Sequence, residues 1–198
     1  MKFGGTSVGE IAAFERVVNV VSSQTGKGPV VVVSAMTKVT DALLAAFEAA
    51  KNGEPAKAFE LLEPHFARHV DVVKHFISKG SETFDTELKF AKEELKDLFI
   101  RVSRRSLPLS MLKDAIVSYG EQLSSRLLAE VLKANGIRAR QFDSRRLVVT
   151  DDEFGAAQPF FDDTRELLQL ELLPSLDADE VPVMGGFIAG NRAGEPTP

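Results

Sequence analysis

Apolar residues recur at two different spacings along the chain, and the alternation between them sets the expected architecture. Ile11, Phe14, Val17, Val18 and Val21 follow helical spacing, and Thr25-Gly26-Lys27-Gly28-Pro29 ends that helix. Residues 30–33 are then four consecutive valines. Such a run, apolar on both faces, suits a central strand covered by helices on either side. Residues 34–40 form the loop at its C-terminal end.

Thr40 or Asp41 is placed to cap the next helix, and from there to about residue 134 no strand signal occurs. Phe59, Leu62, Phe66, Val70, Val73 and Ile77 make one helical stripe, and Phe84, Leu88, Ala91, Leu95, Leu98 and Val102 make a second. Two facing helices account for both. A lobe that buries its own stripes is favoured over a partner-binding coiled coil, because the repeat is too short to demand one. Pro108 precedes a further helix carrying Leu112, Ile116, Leu123, Leu127, Val131 and Leu132, and Asn135-Gly136 ends it with residues that tolerate left-handed geometry.

Strand character returns at residues 137–142 and 147–150. Asp162 or Asp163 is placed to cap a helix through residue 173 that Pro174 terminates, and residues 181–184 begin a last strand. The sum is an α/β layered domain with a largely parallel sheet and a long helical insertion over about 41–134. A first strand after Met1 has almost no length, and no helix follows the last strand to cover the sheet, so the chain reads as cut off. No internal repeat, low-complexity tract or dividing linker is present.

Composition narrows the class. The 198 residues, 44% hydrophobic and 27% charged, suit one domain with a substantial core. No apolar run approaches the ~20 residues of a membrane span, and the N-terminus lacks the zones of a secretory signal, so a cytoplasmic protein is expected. The absence of cysteine removes disulfides, thiolate nucleophiles and cysteine zinc sites. A net charge of -5 argues against nucleic acid as the main ligand, while leaving room for an anionic substrate at a local site.

Candidate chemistry concentrates in three segments. In Lys2-Phe3-Gly4-Gly5-Thr6-Ser7-Val8-Gly9 the glycines admit backbone N–H groups close to an anion, Thr6 and Ser7 add hydroxyls, and a helix follows; this combination suits phosphate. The competing reading is a tight strand-to-helix turn with an exposed lysine, and spacing alone weighs the two about equally. Gly4 and Gly9 have P-loop spacing, but Glu10-Ile11 stands where Lys and Ser/Thr are required. Lys2 precedes the glycines instead, where it could neutralise charge on a transferring phosphoryl group.

Ser34 and Thr40 flank the loop after the buried strand, where open α/β sheets bind ligands, although turn and cap roles alone would explain them. Ser118-Tyr119-Gly120-Glu121 interrupts an apolar helix with a glycine that costs about 1 kcal/mol relative to alanine, so close approach is expected there, and Glu121 could meet an ammonium group. The ordinary alternative for Glu121 is a solvated carboxylate. His65 and His69 have the spacing of a metal pair but no third ligand on their face, no serine sits in a Gly-x-Ser-x-Gly elbow, and no Gly-x-Gly-x-x-Gly follows a strand. No metal ligand is assigned.

Lys2-Phe3-Gly4-Gly5-Thr6-Ser7-Val8 resembles the N-terminal signature of aspartate kinases. Val31-Val32-Val33-Ser34-Ala35-Met36 with Thr40, Ser118-Tyr119-Gly120-Glu121, Phe142-Asp143 followed by Thr150-Asp151 and Phe154-Gly155, and Gly185-Gly186-Phe187-Ile188 are similar to that family's other blocks, in its order. The resemblance implies the amino-acid kinase (carbamate kinase-like) fold, here incomplete, and phosphorylation of the β-carboxylate of L-aspartate by ATP with Mg2+. It implies Lys2 as the catalytic lysine, Lys2, Gly4, Gly5 and Thr6 as holders of ATP, and Ser34, Thr40, Glu121 and Phe187 as holders of aspartate.

By the same resemblance, the Thr-Leu-Gly-Arg-Gly-Gly-Ser-Asp block, the C-terminal nucleotide-binding half and the regulatory ACT domains are absent from this stretch. The 198 residues alone are therefore expected to be nearly inactive, and the intact parent a homo-oligomer. The alternatives are a glutamate 5-kinase or acetylglutamate kinase type of enzyme, or a binding module that has lost transfer.

Overall fold

A computed structural model describes residues 1–77 and 82–198. The chain opens with β1 (Lys2–Phe3), α1 (Ile11–Ser22) and β2 (Val31–Val33), then runs through a helical stretch of α2 (Val39–Lys51), α3 (Pro55–Glu60), α4 (Glu63–Phe76), α5 (Glu82–Arg104) and α6 (Leu109–Ala134). It returns to strand at β3 (Ala139–Phe142) and β4 (Val149–Thr150), and closes with α7 (Phe161–Asp177), β5 (Val181–Gly185), β6 (Ala189–Asn191) and β7 (Pro196–Thr197).

The main sheet has the order β1-β2-β5-β3 with every pairing parallel, so the C-terminal ends of β1, β2 and β5 lie along one edge. Lys2 pairs with Val32, and Val33 with Gly185. On one face Val31, Val33, Val181 and Val183 join the principal core with α1, α6 and the helical lobe. On the other face Val30 and Met184 pack with Phe142, Leu168 and Leu172, bringing α7 onto the sheet. The two-sided apolar run at 30–33 thus meets helices on both sides, and the α/β expectation holds.

Helix α6 joins the lobe to the sheet. It contacts α2 and α5 on one side and β5, β3 and β2 on the other, with Leu127, Leu128, Val131 and Leu132 fully buried. Its end follows the sequence signal, with Asn135 as C-cap and Gly136 at φ 77°.

Four local expectations are corrected. The stripe over 59–77 is divided between α3 and α4, because Pro64 at the start of α4 has no N–H to continue a preceding helix. Helix α2 is capped neither by Thr40 nor by Asp41: Lys38, at φ 70°, is its N-cap, and both expected residues lie in the first turn. Likewise Phe160 rather than Asp162 or Asp163 caps α7, and Pro174 lies inside that helix instead of ending it. Pro174 has no N–H to give the preceding turn, yet the helix runs on past it, and the last turn is closed by Ala178 N–H to Pro174 O and Glu180 N–H to Ser175 O. Finally, the strand at 181–184 is not the last: β6 and β7 follow it and pair antiparallel, and β4 joins β6 in parallel, making a second small sheet.

Candidate functional site

The glycine-rich segment, Ser34 and Phe187 lie where β1, β2 and β5 end, with Glu121 bonded to the residue after Ser34 and Thr40 in the helix that follows. After β1, residues Gly5–Val8 form one 3-10 turn, closed by Ser7 N–H to Gly4 O at 2.9 Å, and α1 starts two residues after Gly9. This turn packs on the loop after β2. The Thr37 hydroxyl donates to Gly5 O at 2.8 Å, and a β-carbon at Gly9 would lie 2.6 Å from that hydroxyl oxygen. At Gly5 a β-carbon would lie 2.9 Å from Ala35 O. These two glycines therefore serve loop-on-loop packing, a role the phosphate reading did not foresee. Gly4, by contrast, has open space where a side chain would be, which is what close approach of a ligand requires.

Lys2 is exposed, and its ammonium lies 5.5 Å from the centre of the Phe187 ring, a cation–π contact between the ends of β1 and β5. Phe187 is 76% exposed and takes φ 56°, an uncommon conformation for an aromatic residue. Gly186 N–H donates to Val33 O at 2.9 Å and fixes the turn that carries it. Ser34, next to Val33, is half-buried and donates its N–H to Phe3 O at 3.0 Å. Thr40 is half-buried in the first turn of α2, and Thr6 is exposed on the 3-10 turn.

Glu121 comes from the other side of the sheet edge. It is only 6% exposed, and its Oε1 accepts the Ala35 N–H at 3.1 Å. The solvated-carboxylate alternative is thereby excluded. Burial raises its pKa, opposed by the amide bond from Ala35, and no lysine or arginine is paired with it among the described residues. The interruption by Gly120 also finds its cause: a β-carbon there would lie 2.8 Å from Ala35 Cβ and 3.4 Å from Leu43 Cδ1. Glycine lets α6 close onto the loop after β2, and that closeness brings the Glu121 carboxylate to the Ala35 amide.

A cavity of about 490 Å³ borders Phe187, Gly185 and Gly186 and runs under α7, lined by Val30, Val32, Leu172 and Met184; Glu121 and Thr40 do not line it. Beside the site, the Tyr119 hydroxyl donates to Glu94, and Asp143 pairs with Arg145 at 2.7 Å. Burial works against ionised Asp143, but the Arg145 contacts prevail and hold its carboxyl below the usual range.

Arg68 was not foreseen. Its guanidinium donates to Thr37 O at 2.8 Å and to Gly9 O at 2.7 Å, reaching both loops from α4. In sequence it sits between His65 and His69, and nothing in the local pattern distinguishes it from a solvated helical arginine. The two histidines do not form a metal pair: the His69 Nδ1 hydrogen-bonds to His65 O at 2.7 Å, and its ring stacks on Phe84.

No helix among the described residues is long and apolar enough to cross a membrane. The chain is 32% identical over 99% of its length to lysine-sensitive aspartokinase 3 of Escherichia coli, and 32% identical over 78% of its length to aspartokinase 1, chloroplastic, of Arabidopsis thaliana. It spans 42% and 27% of those proteins, less than half of either. Among solved structures, E. coli aspartokinase III in complex with lysine and aspartate superposes with a TM-score of 0.87 at 31% identity, covering 99% of this chain and 42% of that one. The same enzyme in complex with aspartate and ADP gives 0.86 at 29% identity with the same coverage. The amino acid kinase family profile matches residues 1–197, and with the parallel sheet and the loops at its edge this shows that the chain belongs to the amino acid kinase family.

Proposed function

We propose that these residues form the substrate-side portion of an aspartate kinase, which transfers the γ-phosphoryl group of ATP to the β-carboxylate of L-aspartate. The observation that carries the amino-acid half of this reading is Glu121: a buried carboxylate with no cationic partner among the described residues, anchored at one oxygen by the Ala35 amide. A buried charge without a counter-charge is costly, and the ammonium of an amino acid would supply one. An N-acetylated amino acid has no such group, which weighs against an acetylglutamate kinase type. Similarity to aspartokinases, one of them solved with aspartate and ADP, favours aspartate over glutamate as the acceptor.

In this reading Gly4, Gly5 and Thr6 approach the nucleotide phosphates, Lys2 neutralises charge on the phosphoryl group in flight, and Ser34, Thr40 and Phe187 border the amino acid. A β-carboxylate oxygen forms the new bond to the γ-phosphorus as the bond to the ADP oxygen breaks. The nucleophile is already ionised, so the chain needs no activated serine or cysteine; positioning and charge neutralisation provide the rate. Magnesium commonly binds through substrate phosphates with one or two carboxylates. The described residues contain no group of three or more His, Asp or Glu side chains placed to hold a metal, and no step is assigned to one.

The test is hydroxamate capture of the acyl phosphate by the complete polypeptide that carries this sequence, with L-aspartate, L-glutamate and N-acetylglutamate as acceptors. ATP-dependent hydroxamate with aspartate alone is the expected result. Preference for either other acceptor transfers the assignment to that kinase type, and no product with any of them supports a binding module.

A further inference from the structure

We infer that Arg68 is a positioning residue for this site: its guanidinium ties the glycine-rich loop after β1 to the loop after β2 and so holds the phosphate side and the amino-acid side in register. The reaction it serves rests on the aspartate kinase reading, whereas the clamp itself rests on geometry alone.

Arg68 belongs to α4, in the helical lobe, yet its two terminal nitrogens reach past the lobe to backbone carbonyls on two different loops, Thr37 O at 2.8 Å and Gly9 O at 2.7 Å. Those loops already interlock through the Thr37 hydroxyl on Gly5 O, with glycine at 5 and 9 because a β-carbon at either would meet the opposing loop below 3.0 Å. A planar guanidinium offers two parallel donors at fixed separation, which a lysine ammonium cannot reproduce. Arg68 has no carboxylate partner among the described residues, so these two carbonyls are where its charge is directed. Its neighbour His65 has Nδ1 at 3.5 Å from Nη1, and burial, with the Arg68 charge beside it, lowers the pKa of that imidazole.

The consequence follows along the backbone. Ala35 lies two residues before Thr37 and donates to Glu121; Gly4 and Gly5 lie within the loop whose far end is Gly9. Displacing one loop against the other changes the distance between the proposed ammonium receptor and the proposed phosphate turn. Transfer in a bound pair of substrates is sensitive to misplacement of about 1 Å, on the order of a hundredfold in rate.

The experiment uses Arg68→Lys and Arg68→Met in the complete polypeptide, with amide hydrogen exchange over residues 4–9 and 34–40, apparent Tm, and kcat and KM for aspartate and ATP. Faster exchange in both loops is expected in each variant, with little change over α5, and kcat should fall roughly ten- to hundredfold while either KM moves less than about threefold. Lysine should recover more of the Tm than of the kcat. Unchanged exchange in the two loops overturns the clamp whatever the activity does. Faster exchange with kcat intact, or a kcat loss that merely follows Tm, overturns the positioning role. If the unsubstituted protein phosphorylates no amino acid, the kinase reading fails, and the exchange data still decide the clamp.

Discussion

The Glu121 carboxylate and the Ala35 amide meet at 3.1 Å across 86 positions of sequence, and this bond joins the helical lobe to the end of β2. It satisfies one oxygen of a carboxylate that burial otherwise penalises. Under the proposed reading, the substrate ammonium supplies the counter-charge that the unliganded fold does not.

Glu121→Gln separates those two demands. The folded pKa of Glu121 is raised by burial, so the group favours the fold below the ordinary carboxylate range and that contribution is lost as pH rises through the raised value. Glutamine keeps an acceptor for Ala35 without the charge. The variant is expected to match the parent in Tm near pH 4 and to exceed it at pH 7.5. Its affinity for the amino-acid substrate should fall about ten- to a hundredfold, the weight of a hydrogen bond to a charged group. Thermal scans at the two pH values and substrate titration check both halves; a lower Tm at pH 7.5 would contradict the first.

Gly120→Ala tests close approach against helix propensity. Alanine gains about 1 kcal/mol in a helix interior, yet its β-carbon would lie 2.8 Å from that of Ala35, which is fixed to the backbone and cannot swing aside. Overpacking of this kind costs about 1–3 kcal/mol, and the contact is at its severe end. A net loss of stability is expected, with weakened substrate binding because Ala35 is the residue displaced. A rise in Tm would show that α6 tolerates more separation from the β2 loop than the packing implies.

Much of this was legible in the chain because it is written in local patterns. The valine run at 30–33, the stripes on α5 and α6 and the Asn135-Gly136 stop all depend on neighbours within a turn or two. The close approach at Gly120 was legible, since a costly residue inside an apolar helix points to something that must come near, although Glu121 beside it reads from the sequence as readily as a solvated carboxylate. Arg68 was not, because its partners lie 31 and 59 residues away and are carbonyls, which every residue possesses. The β6–β7 pairing was missed for a similar reason: Gly190 and Pro196 have poor strand propensity and are held by register with each other and with β4. Pro174 and Asp162 misled in the other direction, because α7 begins one residue before Asp162 and continues three residues past Pro174.

Lys2 is the residue on which transfer itself depends in the proposed mechanism. The residue is exposed, and among the described residues its ammonium meets only the face of Phe187, so its removal leaves the core intact. Lys2→Ala in the complete polypeptide should lower kcat on the order of a hundredfold or more, as loss of a donor aimed at developing charge does elsewhere, with Tm unchanged within about 1 °C. Phe187→Leu, which keeps an apolar side chain but no π face, should have a smaller effect on kcat. Undiminished turnover in Lys2→Ala would reduce Lys2 to a surface residue.

His69 gives the fold a pH dependence separate from the site. The ring is 1% exposed, its Nε2 has no hydrogen-bond partner among the described residues, and its pKa is lowered to about 4, first by burial and further by Arg68 and His65, against the raising effect of the bond to His65 O. The ordinary value for an imidazole is 6.5. Between these two values the unfolded chain holds a proton that the folded chain does not, so stability is complete above about pH 6.5 and declines as pH falls toward 4. At 1.36 kcal/mol per unit the contribution at stake is roughly 3 kcal/mol. His69→Leu should lose about 1 kcal/mol at pH 7.5 through the missing hydrogen bond and then decline less between pH 6.5 and 4.5 than the parent. Apparent Tm measured across that range in matched buffers decides it, since parallel curves for the two proteins would mean that His69 is protonated without cost inside the lobe.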